Sequence, residues 1–317
     1  MHRLVAGLAV FAFLASGSAA AADGQPGYAA QGGLGVLARD GQTRFVAVTT
    51  GTGTAIERVR VHGGAVVGWT ALDGSWGIPT VTFSPQGAEG LTRDGKRLIV
   101  VATGAWSPTE FALLGTRDFR VLDRFSLEGN FAYDALSPDG SILYLIQHIS
   151  ATNVNRYVVR AYDLEHGQLL PGRIADKTQR SWVMEGSPLT RTTSADGRWV
   201  YTMYSRPGGY PFIHALDTVQ GVAHCIGLPW TADQAALTNI RLGIRDGKLA
   251  VHWKNGRAWL AVNTTNWRIT HVKSGAFPWA WVFAGTGSVL LVLLAFGGAV
   301  LRARHRGAEG PFLPAPV

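Results

Sequence analysis

Apolar and polar positions in the middle of the chain follow a pattern that returns roughly every 50 residues. Each copy contains an Asp-Gly pair, followed by a short apolar run rich in β-branched and aromatic residues. Asp-Gly between apolar runs favours a β-hairpin, because glycine tolerates the positive φ that tight turns require. The five pairs are Asp40-Gly41, Asp94-Gly95, Asp139-Gly140, Asp196-Gly197 and Asp246-Gly247.

Each copy also contains further strand-like segments. In the fourth copy, residues 212–216 lead through Asp217 and Gly221 to a second apolar run at 222–226. Together with the segment before each Asp-Gly pair, this pattern predicts four strands per copy. Four-stranded units in radial array are the blades of a β-propeller. We therefore predict an all-β fold, a β-propeller of about five four-stranded blades; a solenoid or a two-sheet sandwich is the alternative.

One copy carries a more specific phrase, Ser-Pro-Asp-Gly-x-x-Leu-Tyr, at residues 137–144. With its following strand, Asp and Gly turn, the phrase resembles the YVTN, TolB-like and lactonase-like β-propellers, a superfamily of WD-repeat-like propellers. The resemblance covers all five copies and implies the propeller fold. It leaves the function open, since propellers of this kind include scaffolds, binding modules and enzymes.

The two ends of the chain differ from its middle. A basic start at Arg3, an apolar run at 4–15 and small residues up to Ala22 predict a secretory signal peptide over residues 1–22. An uncleaved signal anchor is the alternative. The remaining domain, residues 23–277, is then expected outside the cytoplasm.

A second apolar segment lies near the C-terminus. Residues 279–301 contain no charged residue and are long enough to cross a bilayer. Arg302, Arg304 and Arg306 follow, and positive residues stay on the cytoplasmic side. We therefore predict a C-terminal transmembrane helix at 278–301 and a short cytoplasmic tail at 302–317. The alternative is a buried core helix.

Composition narrows the functional classes. The formal net charge is +8, but part of it comes from the arginines at the two ends, and no Lys/Arg-rich run suggests nucleic-acid binding. The sequence has no histidine pair with zinc spacing, no Gly-x-Ser-x-Gly and no Walker pattern. We expect no cofactor and assign no catalytic residue. Cys225 is the single cysteine, and we expect it to be a buried, inert thiol.

Alignment of the copies on the Asp of Asp-Gly suggests a site. The segment before each turn should be the innermost strand of its blade, and the residues five and three positions ahead of the Asp should share one face. Charged residues stand at the position five ahead in four of the copies. We predict that they form a ligand-binding ring at the mouth of a central channel, or alternatively that they pair with one another structurally. These residues are Glu89, Asp134, Arg191 and Arg241.

Two functions from different classes follow. The first is a membrane-anchored, extracytoplasmic binding or scaffold module, whose partner is an envelope protein or a small ligand and which contacts the membrane through its C-terminal helix. The alternative is a lactonase-like propeller hydrolase with a metal at the channel mouth, held by Glu89 and Asp134 because hard cations favour carboxylates. A sensor that signals through the short tail is a third hypothesis.

Overall fold

The computed structural model describes residues 28–272, except 33–34, 83–86, 105–106, 180 and 207. The predicted signal peptide (1–22), transmembrane helix (278–301) and tail (302–317) lie outside these residues. Within the described part of the chain, no helix combines the length and apolarity needed to cross a bilayer. The chain divides into two compact units, and the boundary between them follows Pro188.

The first unit is built from antiparallel strands. Its strands are β1 (Tyr28–Ala30), β2 (Val36–Leu37), β3 (Thr43–Thr49), β4 (Gly53–Arg60), β5 (Val66–Asp73), β6 (Trp76–Thr80), β7 (Arg97–Ala102), β8 (Thr109–Gly115), β9 (Val121–Leu127), β10 (Asn130–Leu136), β11 (Ile142–His148), β12 (Arg156–Asp163), β13 (Gln168–Leu169) and β14 (Met184–Glu185). They form three sheets. Sheet 1 has the order β2-β3-β4-β5, sheet 2 the order β1-β6-β7-β8-β9, and sheet 3 the order β10-β11-β12-β13 with β14 also paired to β12.

The second unit repeats the same meander in two sheets. Its strands are β15 (Ser187–Thr193), which begins at the boundary, β16 (Trp199–Ser205), β17 (Phe212–Asp217), β18 (Val222–Gly227), β19 (Ile240–Arg245), β20 (Lys248–Trp253), β21 (Ala258–Asn263) and β22 (Ile269–His271). Sheet 4 has the order β15-β16-β17-β18 and sheet 5 the order β19-β20-β21-β22. A 3-10 helix, Gln234–Asn239, connects the two sheets. Five repeated antiparallel sheets confirm the predicted all-β repeat.

Hydrophobic alternation explains how the sheets pack within the first unit. In β7, Leu98 and Val100 belong to a core cluster that includes Phe45 of sheet 1. The intervening Ile99 belongs to another cluster that includes Phe131 of sheet 3. Because successive side chains point to opposite faces of a strand, sheet 2 buries both of its faces. Burial of each such side chain contributes roughly 1.5–3 kcal/mol.

The Asp-Gly turns take the predicted conformation. In three of them a serine or threonine hydroxyl group, which the sequence analysis did not predict, hydrogen-bonds to the aspartate. At the third turn, Gly140 has a φ of 71°. The hydroxyl of Ser137 donates to Asp139 Oδ1 at 2.5 Å and accepts the backbone N–H of Ile142 at 2.9 Å. Thr92 with Asp94 and Ser194 with Asp196 repeat this arrangement. The carboxylates of these turns therefore stabilise the hairpins to which they belong.

Sheet 2 departs from the predicted four-strand unit. The segment before Asp94 was expected to be the first strand, but it forms two isolated bridges, Thr80 with Ala88 and Leu91 with Leu98. The N-terminal strand β1 flanks β6 instead, with Tyr28 opposite Thr80. A segment just after the predicted cleavage site thus becomes the first strand of this sheet, which sequence periodicity did not reveal.

Candidate functional site

The first strands of sheets 4 and 5 carry the two predicted arginines and are joined to each other. The backbone N–H of Leu242 in β19 donates to the hydroxyl of Thr190 in β15 at 3.4 Å. Thr190 is buried, with an exposed fraction of 3%. Arg191 and Arg241 are the chain neighbours of these two residues. This hydrogen bond therefore places the two strands that carry the arginines beside each other within the second unit.

Backbone carbonyls fix the guanidinium of Arg241. Its Nη1 donates to the carbonyl oxygens of Thr238 at 2.8 Å and Ile240 at 2.7 Å. Among the described residues, no hydrogen bond or ion pair engages its Nε or Nη2. Arg241 is half-buried and lies opposite His252 of β20. The guanidinium is thus held in place through one nitrogen only.

A buried polar row positions Arg191. Its Nη1 donates to the hydroxyl of Thr202 at 3.0 Å, and Thr202 is 2% exposed. Thr202 pairs across the sheet with His214. His214 in turn pairs with Cys225, and its Nδ1 lies 3.9 Å from Cys225 Sγ. Cys225 is half-buried rather than buried as expected.

The two predicted acids lie in the first unit, in settings that differ from the expected regular strand. Asp134 sits at a β-bulge, because the pairing of β10 with β11 shifts register between Tyr133 and Ala135. The side chain is 2% exposed. A bulge re-aims a side chain, so the alternation used to predict its direction does not hold there. Glu89 is half-buried and lies outside the named strands; its N–H donates to Pro79 O at 2.8 Å.

The four predicted residues therefore divide between the units, two acids in the first and two arginines in the second. The ring itself stays a prediction. The two arginines have the clearest chemistry of the four residues, because a guanidinium presents donors in a fixed fork that matches carboxylate and phosphate oxygens. Protein carbonyls and hydroxyls already hold these side chains, so binding an anion costs less side-chain conformational entropy.

The carboxylates at the Asp-Gly turns have a different character. The hydroxyl donors of Thr92, Ser137 and Ser194 hold the pKa values of the three partner aspartates below the usual range, and backbone N–H donors add to the effect. Hydrogen bonds to the charged form stabilise it. These groups are saturated by their own turns, which makes them poor candidates for ligand contacts. The three aspartates that these hydroxyl groups contact are Asp94, Asp139 and Asp196.

Two elements of the site were not found from the sequence. Thr190 and Thr202 look like ordinary strand residues, yet one joins β15 to β19 and the other holds Arg191. Their spacing of one and eleven residues from Arg191 carries no motif, since both contacts depend on strand pairing. The described residues contain no group of three or more His, Cys, Asp or Glu placed to hold a metal ion.

Comparison with known proteins yields similarity in solved structures alone. The chain matches no protein-family model and no curated protein at a significant level. Among solved structures, it is similar to TolB from Acinetobacter baumannii, with 15% identity and a TM-score of 0.42. That match covers 77% of this chain and 56% of TolB, so the chain spans little more than half of that protein.

Two further structures show similar levels of agreement. A lactonase-like protein from Bacteroides uniformis has 15% identity and a TM-score of 0.44, over 74% of this chain and 68% of the other. BamB from Moraxella catarrhalis has 13% identity and a TM-score of 0.38, over 77% and 65%. TolB and lactonase-like proteins, the groups that the Ser-Pro-Asp-Gly phrase resembles, are thus among the structures to which this chain is similar.

Proposed function

We propose that this protein is a non-enzymatic binding module that recognises anionic groups, carboxylates or phosphates, through Arg241 and Arg191. The observation that carries the proposal is the geometry of Arg241, whose Nη1 is held by two backbone carbonyls while Nε and Nη2 make no hydrogen bond to the described residues. A guanidinium held in this way has a defined direction in which to meet an anion.

Arg191 supplies the second charge. Its contact with buried Thr202 orients the guanidinium, and the hydrogen bond from Leu242 to Thr190 keeps its strand beside that of Arg241. A guanidinium at each position attracts negative charge, and an anionic ligand would supply it. The two arginines are accordingly assigned the ligand-binding role that the sequence analysis gave to the larger ring.

The cellular setting completes the proposal. A signal peptide at 1–22 and a membrane anchor at 278–301 would display the module outside the cytoplasm. Its partner is then an envelope protein with an acidic segment or a small anionic ligand. Sheets 4 and 5 provide a packed base for such a site, because they share one hydrophobic cluster.

The proposal is tested by crosslinking pull-down of the full-length protein from intact cells. The native chain is compared with the double variant Arg191→Gln and Arg241→Gln, and with Arg268→Gln as a control. Arg268 is an exposed arginine in the turn between β21 and β22. Loss of a specific partner in the double variant alone is expected. Retention of the same partners by the double variant would contradict the proposal.

A direct binding assay complements the pull-down. Thermal-shift titration of the purified full chain with inorganic phosphate and with citrate should raise the melting temperature of the native chain more than that of Arg241→Gln. Metal analysis of the same preparation addresses the alternative, a lactonase-like hydrolase with Glu89 and Asp134 as metal ligands. A stoichiometric divalent ion would favour that alternative over the non-enzymatic module.

A further inference from the structure

The last part of the second unit has a one-sided charge. Between Gly247 and Ala308 the sequence contains no Asp or Glu. The described residues in this stretch include four basic ones, and they belong to β20, β21, β22 and the turns between them. These residues are Lys254 and Arg257 in the turn between β20 and β21, and Lys248 and Arg268 at the other end of sheet 5. A surface of this sign favours contact with an anionic partner.

The turn between β20 and β21 combines two of these charges with aromatic rings. Lys254 and Arg257 are exposed, and Trp253 and Trp259 flank them as half-buried side chains. The guanidinium of Arg257 lies 5.2 Å from the centroid of the Trp253 ring. Trp230 packs against both flanking rings, with centroid distances of 6.0 and 5.3 Å. The turn therefore exposes two basic side chains, and the aromatic rings on either side of them are packed against Trp230.

The chain leaves the second unit beside this turn. The backbone N–H of Val272 donates to the carbonyl of Trp259 at 3.1 Å. The predicted membrane span begins at residue 278. The intervening residues can extend by at most about 20 Å, given roughly 3.3–3.6 Å per residue. Any bilayer crossed by residues 278–301 must therefore lie close to the turn.

The acids of the second unit lie mainly at its other end. Asp196 and Asp246 belong to Asp-Gly turns, and Asp217 binds Arg198 next to one of these turns. Asp233, which caps the 3-10 helix through the N–H of Ala235, is the exception. The end from which the chain leaves thus carries only one of the four acids of the described second unit.

We propose that the turn from Trp253 to Trp259 is a membrane-docking site that holds the second unit against an anionic bilayer surface. Lys254 and Arg257 contact acidic headgroups, and the rings of Trp253 and Trp259 sit at the level of the headgroups, where amphipathic aromatic side chains are favoured. Each basic side chain near such a surface changes the ratio of docked to undocked units by about five-fold. This inference rests on the predicted span at 278–301, and it does not depend on anion binding by Arg191 and Arg241.

Hydrogen–deuterium exchange of the full chain in lipid nanodiscs tests the docking. Nanodiscs of phosphatidylcholine are compared with nanodiscs that also contain phosphatidylglycerol. We expect slower exchange of residues 253–259 with the anionic lipid, while the turn at 263–268, at the opposite end of sheet 5, exchanges equally in both. Raised ionic strength should reverse the protection, because salt screens the attraction.

The double variant Lys254→Gln and Arg257→Gln should lose roughly 25-fold of the lipid-dependent protection, about five-fold for each charge. Arg191→Gln with Arg241→Gln should keep it, which separates this inference from the proposed ligand site. Equal exchange of residues 253–259 in both lipids, or full protection in the Lys254 and Arg257 variant, would overturn the docking site. Extraction of the full chain from membranes by alkaline carbonate would also overturn it, since the anchor would then be absent.

Discussion

The guanidinium of Arg198 donates two hydrogen bonds to one oxygen of Asp217, from Nε at 2.9 Å and from Nη2 at 2.6 Å. The carboxylate is fully buried, and its other oxygen accepts the backbone N–H groups of Val219 and Gln220, both at 3.0 Å. One side chain thus joins the Asp-Gly turn of sheet 4 to the turn between β17 and β18. Although burial raises the pKa of Asp217, the donors outweigh it and the net pKa is lowered.

Arg198→Met should destabilise the protein, because it leaves the Asp217 carboxylate buried without its cation. Loss of one partner of a fully buried pair costs about 3–5 kcal/mol, and we expect roughly 2 kcal/mol here because Arg198 is 38% exposed and water can replace part of the contact. Urea unfolding measures the change. The exposed Arg268→Met is the control and should stay within about 0.5 kcal/mol of the native chain. An equal effect in both variants would show that the pair is not structurally important.

Acidification should weaken the fold through the turn carboxylates. The lowered pKa of Asp139 means that the folded chain binds fewer protons than the unfolded chain across the window below about pH 4. Its contribution to the free energy of unfolding is therefore present above the unfolded pKa and is lost as the pH falls through the folded pKa.

Asp139→Asn checks this sign. We expect the variant to be less stable than the native chain at neutral pH, and the difference to shrink as the pH falls below about 4. Urea unfolding at a series of pH values measures it, with Glu128→Gln, an exposed acid at the start of the loop before β10, as the control. A difference that is independent of pH would contradict the linkage.

Two glycines in equivalent turns should respond differently to the same substitution. Gly41 and Gly140 have φ values of 66° and 71°, so alanine is strained at both by about 1–2 kcal/mol. At Gly41 the added methyl group meets open space. At Gly140 it would lie 2.7 Å from Arg97 Nη2 and 2.9 Å from Thr92 Cγ2.

Arg97 cannot yield without loss, because its Nη2 donates at 3.1 Å to the carbonyls of Asp139 and Gly140 and so ties sheet 2 to sheet 3. We therefore expect Gly140→Ala to lower the free energy of unfolding by at least about 1 kcal/mol more than Gly41→Ala does. Chemical denaturation of both variants measures this. Equal losses would mean that only the backbone strain matters.

The sequence predicted those parts of the fold that local chemistry determines. Asp-Gly turns such as Asp139-Gly140 depend on residues within five positions, so they were recognised together with the strands that flank them. Arg191 and Arg241 lie in the first strands of their sheets, as the spacing from the Asp-Gly turns predicted. The contact between their strands was not predictable, because the hydrogen bond from Leu242 to Thr190 joins residues 52 positions apart.

The sequence did not predict the settings of the two acids, because both depart from the regular strand pattern on which the prediction depended. The bulge at Asp134 inserts one residue into the alternation of β10, so counting from the Asp-Gly turn does not determine the face of its side chain. Glu89 lies in the connection between β6 and β7. The pairing of β6 with β7 ends at Gly77, and the next bridge to β7 joins Leu91 to Leu98. Each depends on tertiary packing that a repeat pattern does not encode.

The N-terminal strand offers a last test, since it packs against a position that only glycine can occupy. A Cβ at Gly77 would lie 2.7 Å from the backbone carbon of Ala29 and 2.9 Å from the backbone nitrogen of Ala30. Neither atom can move without breaking the pairing of β1 with β6. Gly77→Ala should therefore displace β1.

Hydrogen exchange measures this displacement by residue. We expect residues 28–30 to lose protection in Gly77→Ala, together with Gln31, whose amide Nε2 donates to Ser75 Oγ at 2.8 Å and to Trp76 O at 2.9 Å. Protection in β7 and β8 should persist, because these strands pair with each other and one of their two hydrophobic clusters has no residue of β1. Gly51→Ala, where the added methyl group meets open space, is the control. Collapse of protection throughout the first unit would instead mean that β1 is required for the fold of sheet 2 as a whole.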